Sequence, residues 1–214
     1  MTNIFKTPEK VETRDRLFRI GLDVLRDQGW QVEKKPGLGK SSVRQITKGG
    51  KTRLVSIRTS QNTWIAFARN LRDTEWGTLA DVDLVLAVSV DDPENPRFGQ
   101  VHMIEASEMR ERFDRAYAAR RKAGRKVQLG RGMWISLYQP EASKPVLHVG
   151  AGAGLEHPHI ARIPLEPSES DAHDEHDSKQ VSRTNESLTI AEAKRRLAIS
   201  LGVDPSSIRI TVEA

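Results

Sequence analysis

The sequence predicts an α/β chain of the α+β kind. It has a mixed, mostly antiparallel sheet with flanking helices, followed by a small C-terminal helix–strand module. Three observations predict this. Apolar residues recur at helical spacing over 11–28 and again over 107–123. Between those stretches runs a series of short alternating segments punctuated by Gly and Pro. In the middle stands the most apolar run of the chain, VDLVLAVSV at Val82–Val90, with the uninterrupted character of a strand covered on both faces.

Each element follows from its residues. Over 11–28, Leu17, Phe18, Gly21, Val24 and Leu25 form one helical stripe, with Arg14, Arg16, Asp23, Arg26 and Asp27 largely opposite. Gly29 stops this helix, because glycine takes the left-handed conformation of a helix end without a steric cost. Trp30–Glu33 is a short strand and Pro36-Gly37-Leu38-Gly39 a loop. Val43–Thr47 and Arg53–Thr59 flank Lys48-Gly49-Gly50-Lys51, whose glycines supply the positive φ of a tight hairpin turn. In the second of these strands Val55 and Ile57 face one way, and Ser56 and Arg58 the other. Ser60-Gln61-Asn62 turns into a third strand, Thr63–Arg69, which gives an antiparallel meander. Past the apolar run, the loop Asp91–Pro96 leads to a strand at Val101–Glu105. Ser107 is placed to cap a helix reaching about Ala123, with Met109, Phe113, Ala116 and Tyr117 inward. Met133–Tyr138 closes the body as a strand.

From Gly150 the texture changes. Residues 150–186 have little periodicity and few large apolar side chains, so they read as a disordered linker after a basic domain of residues 1–149. The C-terminal module spans 187–214. There Thr189-Ile190-Ala191-Glu192 has the form of a capping box, ahead of a helix with Ile190, Ala193, Leu197 and Leu201 inward and Gly202 at its end. Ile208–Val212 alternates as a strand. A piece this small buries no core of its own, so it docks on the main domain, on a second copy or on a protein partner.

Composition narrows the function classes. No cysteine is present, which removes disulfides and thiol chemistry. The start, MTNIFKTPEKVETRDR, lacks the apolar stretch of a signal peptide, and no window approaches the ~18–20 apolar residues of a membrane span. A cytoplasmic protein with no membrane partner is expected. The formal charge of +5 is unevenly spread: residues 1–149 hold 27 Lys/Arg against 18 Asp/Glu, and residues 150–214 hold 7 against 11. Ten of the basic residues fall between Lys34 and Arg72, a stretch without one Asp or Glu. Such a field favours a polyanion, DNA or RNA.

The order helix, strand series, apolar strand, strand, helix, strand over residues 11–138 resembles the core of the PD-(D/E)XK restriction-endonuclease-like fold. The resemblance is sharpest at Leu54-Val55-Ser56-Ile57-Arg58-Thr59-Ser60. In active members that strand carries an acid, one intervening residue and a lysine. Here Ser56 stands where the acid belongs and Arg58 where the lysine belongs, and Val43–Thr47 carries no metal-binding aspartate. Two or more carboxylates are needed to hold a divalent cation and generate hydroxide beside a phosphate. Serine and arginine do neither, and a guanidinium is too basic to act as a general base. The resemblance therefore implies a member that binds phosphate through Ser56, Arg58 and Thr59 and does not cleave.

Other constellations were weighed against it. Asp81 and Asp83 share a strand face by spacing, and Asp91, Asp92 and Glu105 gather at strand ends, but no lysine supports either group. Gly37-Leu38-Gly39-Lys40-Ser41-Ser42 fails as a phosphate loop, because Lys34 occupies the required first glycine and a strand follows. His157, His159 and the run Asp171–Asp177 fall in the expected linker. Trp64, Trp76, Trp134 and Phe67 are candidate surfaces for unpaired bases; Trp64, inside the acid-free stretch, is the best placed, although it reads as core as readily as Trp76 and Trp134 do. No Ser–His–Asp arrangement is present.

The expected protein therefore binds nucleic acid through a basic hairpin and loops on a catalytically degenerate core. Its contacts are Lys40, Arg44, Lys48, Lys51, Arg53, Ser56, Arg58, Thr59, Trp64 and Arg69, with Arg120, Arg121, Lys122, Arg125 and Lys126 in and just past the C-terminal end of the second helix. No catalytic residue, metal or cofactor is expected. The alternative is an assembly protein whose basic surface receives an acidic partner, with 187–214 as an oligomerisation clip. A divalent-dependent nuclease with displaced carboxylates comes third.

Overall fold

A helix, α1 (Pro8–Asp27), opens the fold. Thr7 caps it by accepting a hydrogen bond from the Lys10 amide at 3.4 Å, and Pro8 stands at the first turn, where its missing N–H costs nothing. Strands β1 (Gln31–Glu33), β2 (Val43–Lys48) and β3 (Lys51–Ser60) follow, then β4 (Trp64–Ala68), β5 (Leu84–Val90), β6 (Phe98–Glu105), α2 (Ala106–Lys122) and β7 (Gly132–Ser136). A short helix α3 (Ala153–Glu156) and strand β8 (Ala161–Pro164) complete the element order. The computed structural model describes residues 7–34 and 42–165. The expected C-terminal module, the run Asp171–Asp177 and Lys40 therefore lie outside the described residues.

The architecture is α+β. Six strands form one mixed sheet in the order β1-β2-β3-β5-β6-β8, antiparallel except where β3 and β5 run parallel. All seven residues of β5 are buried, as its apolar run predicts for a central strand. Alternation sends Leu84, Leu86, Val88 and Val90 into the core under α1, where Leu17, Ile20, Val24 and Leu25 are each at most 4% exposed. Burying each such side chain stabilises the fold by roughly 1.5–3 kcal/mol. The helix lies close to the sheet because Gly21 has no side chain; a Cβ there would meet Val88 Cγ2 at 3.0 Å. Val85 and Ala87 point the other way, into a second core with Phe113, Met109 and Trp76. Among the described residues no helix is long and apolar enough to cross a membrane.

Four expectations are corrected. The meander does not continue past β3. Thr63 takes a left-handed φ of 62°, the chain leaves the sheet, and β4 pairs antiparallel with β7 in a separate two-stranded ribbon. The uniformly apolar β5 takes the place beside β3 instead. Second, residues 150–165 are folded rather than linker. Strand β8 pairs with β6, and Ala151 and Ala153 are fully buried. The small residues that suggested a linker are packing residues: a Cβ on Gly154 would sit 2.5 Å from the Tyr138 ring. His157 belongs to this folded segment, with Nε2 2.7 Å from Glu108 Oε2. Third, Asp81 and Asp83 share no strand: Asp81 ends a 3₁₀ turn, and Asp83 accepts the Leu54 amide at 2.8 Å as a strand-end cap. At α2 the N-cap is Glu105 rather than Ser107, without a side-chain cap hydrogen bond.

Candidate nucleic-acid interface

The ribbon of β4 and β7 builds the site. One face carries Ile65, Phe67, Met133 and Ile135, all buried in the second core. The opposite parity belongs to Trp64, Ala66 and Ala68 on β4 and to Gly132, Trp134 and Ser136 on β7, with Trp64 facing the buried Ser136, Ala66 facing Trp134 and Ala68 facing Gly132 in register. Trp134 is therefore not core; it is 51% exposed. Its indole Nε1 reaches over Gly132, where an added Cβ would stand 3.8 Å away.

Two adjoining hollows share Trp64 and Trp134 as common lining. The narrower, about 300 Å³, adds Arg120, Arg125 and Lys126, with no acidic residue among its walls. The wider, about 680 Å³, adds Lys10, Arg14, Thr59, Gln61 and Asn62, together with Glu9 and Glu94. Within the narrow hollow Arg120 is a wall rather than a free cation. It is 7% exposed and donates to the Trp134 carbonyl, and burial lowers its pKa, with help from the neighbouring charge of Arg125. Arg125 and Lys126 are exposed. Arg14 is engaged by Asp15 at 2.7 Å.

The other expected contacts are distributed elsewhere. On the α1 face, Arg44 lies over the Phe18 ring, and Lys48 donates to the Gln28 carbonyl at 2.6 Å. Arg53 forms a bidentate pair with Glu105, which raises its pKa first through that hydrogen bond. Lys51 stands exposed at the hairpin tip, at the opposite end of β3 from Ser60. At strand rise that is roughly 30 Å from the hollows, too far for the same few nucleotides. Arg69 is internal, bonded to Asp73 and stacked against Trp76 and Tyr117. Arg121 sits over Tyr117 and 3.5 Å from Asp73. Lys122 lines a separate, mostly apolar hollow with Lys144.

Ser56 and Arg58 do share a face, yet it is an inner one. Arg58 lies 4.4 Å over the Phe67 ring, and burial lowers its pKa. Its Nε and the fully buried Ser56 Oγ are both without hydrogen-bond partners. Thr59 points to the other side of the sheet by alternation, so the three do not converge. Among the described residues, no three His, Cys, Asp or Glu side chains gather closely enough to hold a metal ion.

The structure thus joins Trp64, Arg120, Arg125 and Lys126 of the expected set in the narrow hollow, and Thr59 with Trp64 in the wide one. It adds Trp134 and Lys10, which sequence reasoning missed. The signal for Trp134 was present: it alternates with Met133 and Ile135, so a strand that buries those two must turn the indole outward. Comparison of the chain with known protein families, with curated proteins and with solved structures finds no match.

Proposed function

We propose that this protein binds nucleic acid along the groove of the β4–β7 ribbon and does not cleave it. The observation that carries the reading is the narrow hollow, where Arg125 and Lys126 stand exposed beside two tryptophans with no carboxylate in the walls. Exposed cations attract phosphates, whose release of condensed counterions drives binding. On their other side Arg125 and Lys126 line a hollow with Asp73, whose carboxylate is engaged by Arg69 and Tyr117. The degenerate restriction-endonuclease-like core belongs to the same proposal. On that resemblance Ser56 and Arg58 would take the positions of the acid and the lysine, and Glu105 is paired with Arg53.

Fluorescence anisotropy of labelled oligonucleotides against salt tests the reading. Three phosphate contacts on a single strand give a slope of about −2, hence about a 15-fold affinity loss from roughly 50 to 200 mM salt. The double substitution Arg125→Glu and Lys126→Glu is expected to weaken binding at least about tenfold and flatten that slope by about one unit or more. Lys51→Glu, at the hairpin tip, leaves both nearly unchanged. Absence of binding at low salt overturns the proposal and turns attention to an acidic protein partner. An effect of Lys51→Glu as large as that of the double variant moves the site to the hairpin.

A further inference from the structure

Resting on the nucleic-acid reading, we infer that the ligand is single-stranded and that its unpaired bases stack on Trp134 and Trp64. The argument starts from what surrounds the two indoles. They share one face of a two-stranded ribbon whose other positions on that face are Ala66, Ala68, Gly132 and Ser136, the last buried opposite Trp64. None of those four has a side chain long enough to cover a ring. Gly132 leaves room for the Trp134 indole to lie along its own strand, with half of its surface open. A half-exposed tryptophan is a poor way to fill a core, and the core side of this ribbon is already filled by Ile65, Phe67, Met133 and Ile135.

An open π-face recognises another flat π-system, and the cations beside it select an anionic one. Unpaired nucleotides supply both: a base to stack on the indole and a phosphate to meet Arg125 or Lys126. A duplex offers this surface only phosphates and base edges, because its bases are already stacked on each other. Stacking is tolerant of base identity, so little sequence preference is expected.

The test compares three probes of equal length, about 15 nucleotides each: a labelled oligothymidine, a duplex and an abasic backbone. Wild type should hold the oligothymidine about tenfold or more tighter than either of the others. Trp134→Ala should lower oligothymidine affinity about tenfold or more while leaving the abasic backbone unchanged, and Trp134→Phe should recover most of the loss. Trp134 is half exposed and outside the core, and the near-ultraviolet dichroism of each variant checks the fold. Equal affinity for all three probes with no effect of Trp134→Ala overturns the stacking inference and leaves the nucleic-acid reading standing. Failure to bind any of the three overturns that reading itself.

Discussion

Replacing Gly150 by alanine is expected to lower the stability of the folded body by about 3 kcal/mol or more, a drop of roughly 6–12 °C in Tm. Gly150 has a φ of +78°, which alanine adopts only with strain, and an added Cβ would stand 2.2 Å from the Arg112 carbonyl oxygen. That oxygen belongs to the backbone of α2, so no rotamer change relieves the overlap. The segment itself is pinned on both sides. The Gly150 amide donates to Glu141 Oε1 at 3.0 Å, the Gly152 amide to the Ser136 carbonyl at 3.0 Å, and the Gly154 amide to the Leu137 carbonyl at 2.8 Å. Gly124→Ala is the matched control: φ is +71° there, and nothing lies within 4 Å of the added Cβ, so about 1 kcal/mol is expected. Thermal unfolding of both variants measures the difference. Equal, small losses would mean that residues 150–154 do not pack on α2.

Arg112→Met is the second large effect, expected to cost about 2–3 kcal/mol near neutral pH, because Glu108, Glu141 and Glu156 keep part of their solvation when the cation is removed. The Arg112 guanidinium is 2% exposed and donates to Glu108 at 2.8 Å, to the Ala151 carbonyl at 2.7 Å and to Glu156 at 2.5 Å, with Glu141 at 3.9 Å. Methionine fills the volume but leaves these acceptors facing one another without their cation. In the wild type, burial pushes the Glu108 carboxyl up, but hydrogen bonds from His157 and Arg112 outweigh it and hold the pKa below its ordinary value. Glu141 is also held low, chiefly by Arg115 and in small part by Arg112. Carboxyls with depressed folded pKa values stabilise the fold above their unfolded pKa, and that contribution fades as pH falls through the folded value. Removing Arg112 raises both groups, so the variant loses less on acidification than the wild type. The gap between the two unfolding midpoints should narrow from pH 7 to pH 4. A gap that stays constant with pH would show that lost packing, not unpaired carboxylates, dominates.

How far the fold was legible depends on where the decisive information lay. Local periodicity placed α1, the Gly49-Gly50 hairpin, β5 and α2 within a few residues, because each is decided by its own apolar pattern. The partner of β4 was not legible, since Ile65 and Phe67 specify which face is buried and not against which strand. The folded segment 150–165 was hidden because glycine and alanine, read along the chain, look like linker. Their packing role appears only once Tyr138 and α2 stand over them. At the candidate site, charge counting found the right residue types and spread them too widely. Lys48, Arg53 and Arg69 are basic residues with intramolecular work, and sequence does not reveal that Gln28, Glu105 or Asp73 waits for each. Strand parity, applied to β7 as it was to β3, identifies Trp134 as outward.

The most direct measurement of the central claim is photo-crosslinking of the full chain to a single strand carrying halogenated uracil, followed by peptide mapping at saturating ligand. The groove account predicts crosslinks on peptides containing Trp64, Trp134 and residues 125–128, and their loss at salt that abolishes binding. Crosslinks confined to the hairpin, residues 43–60, or none at saturation, would contradict it.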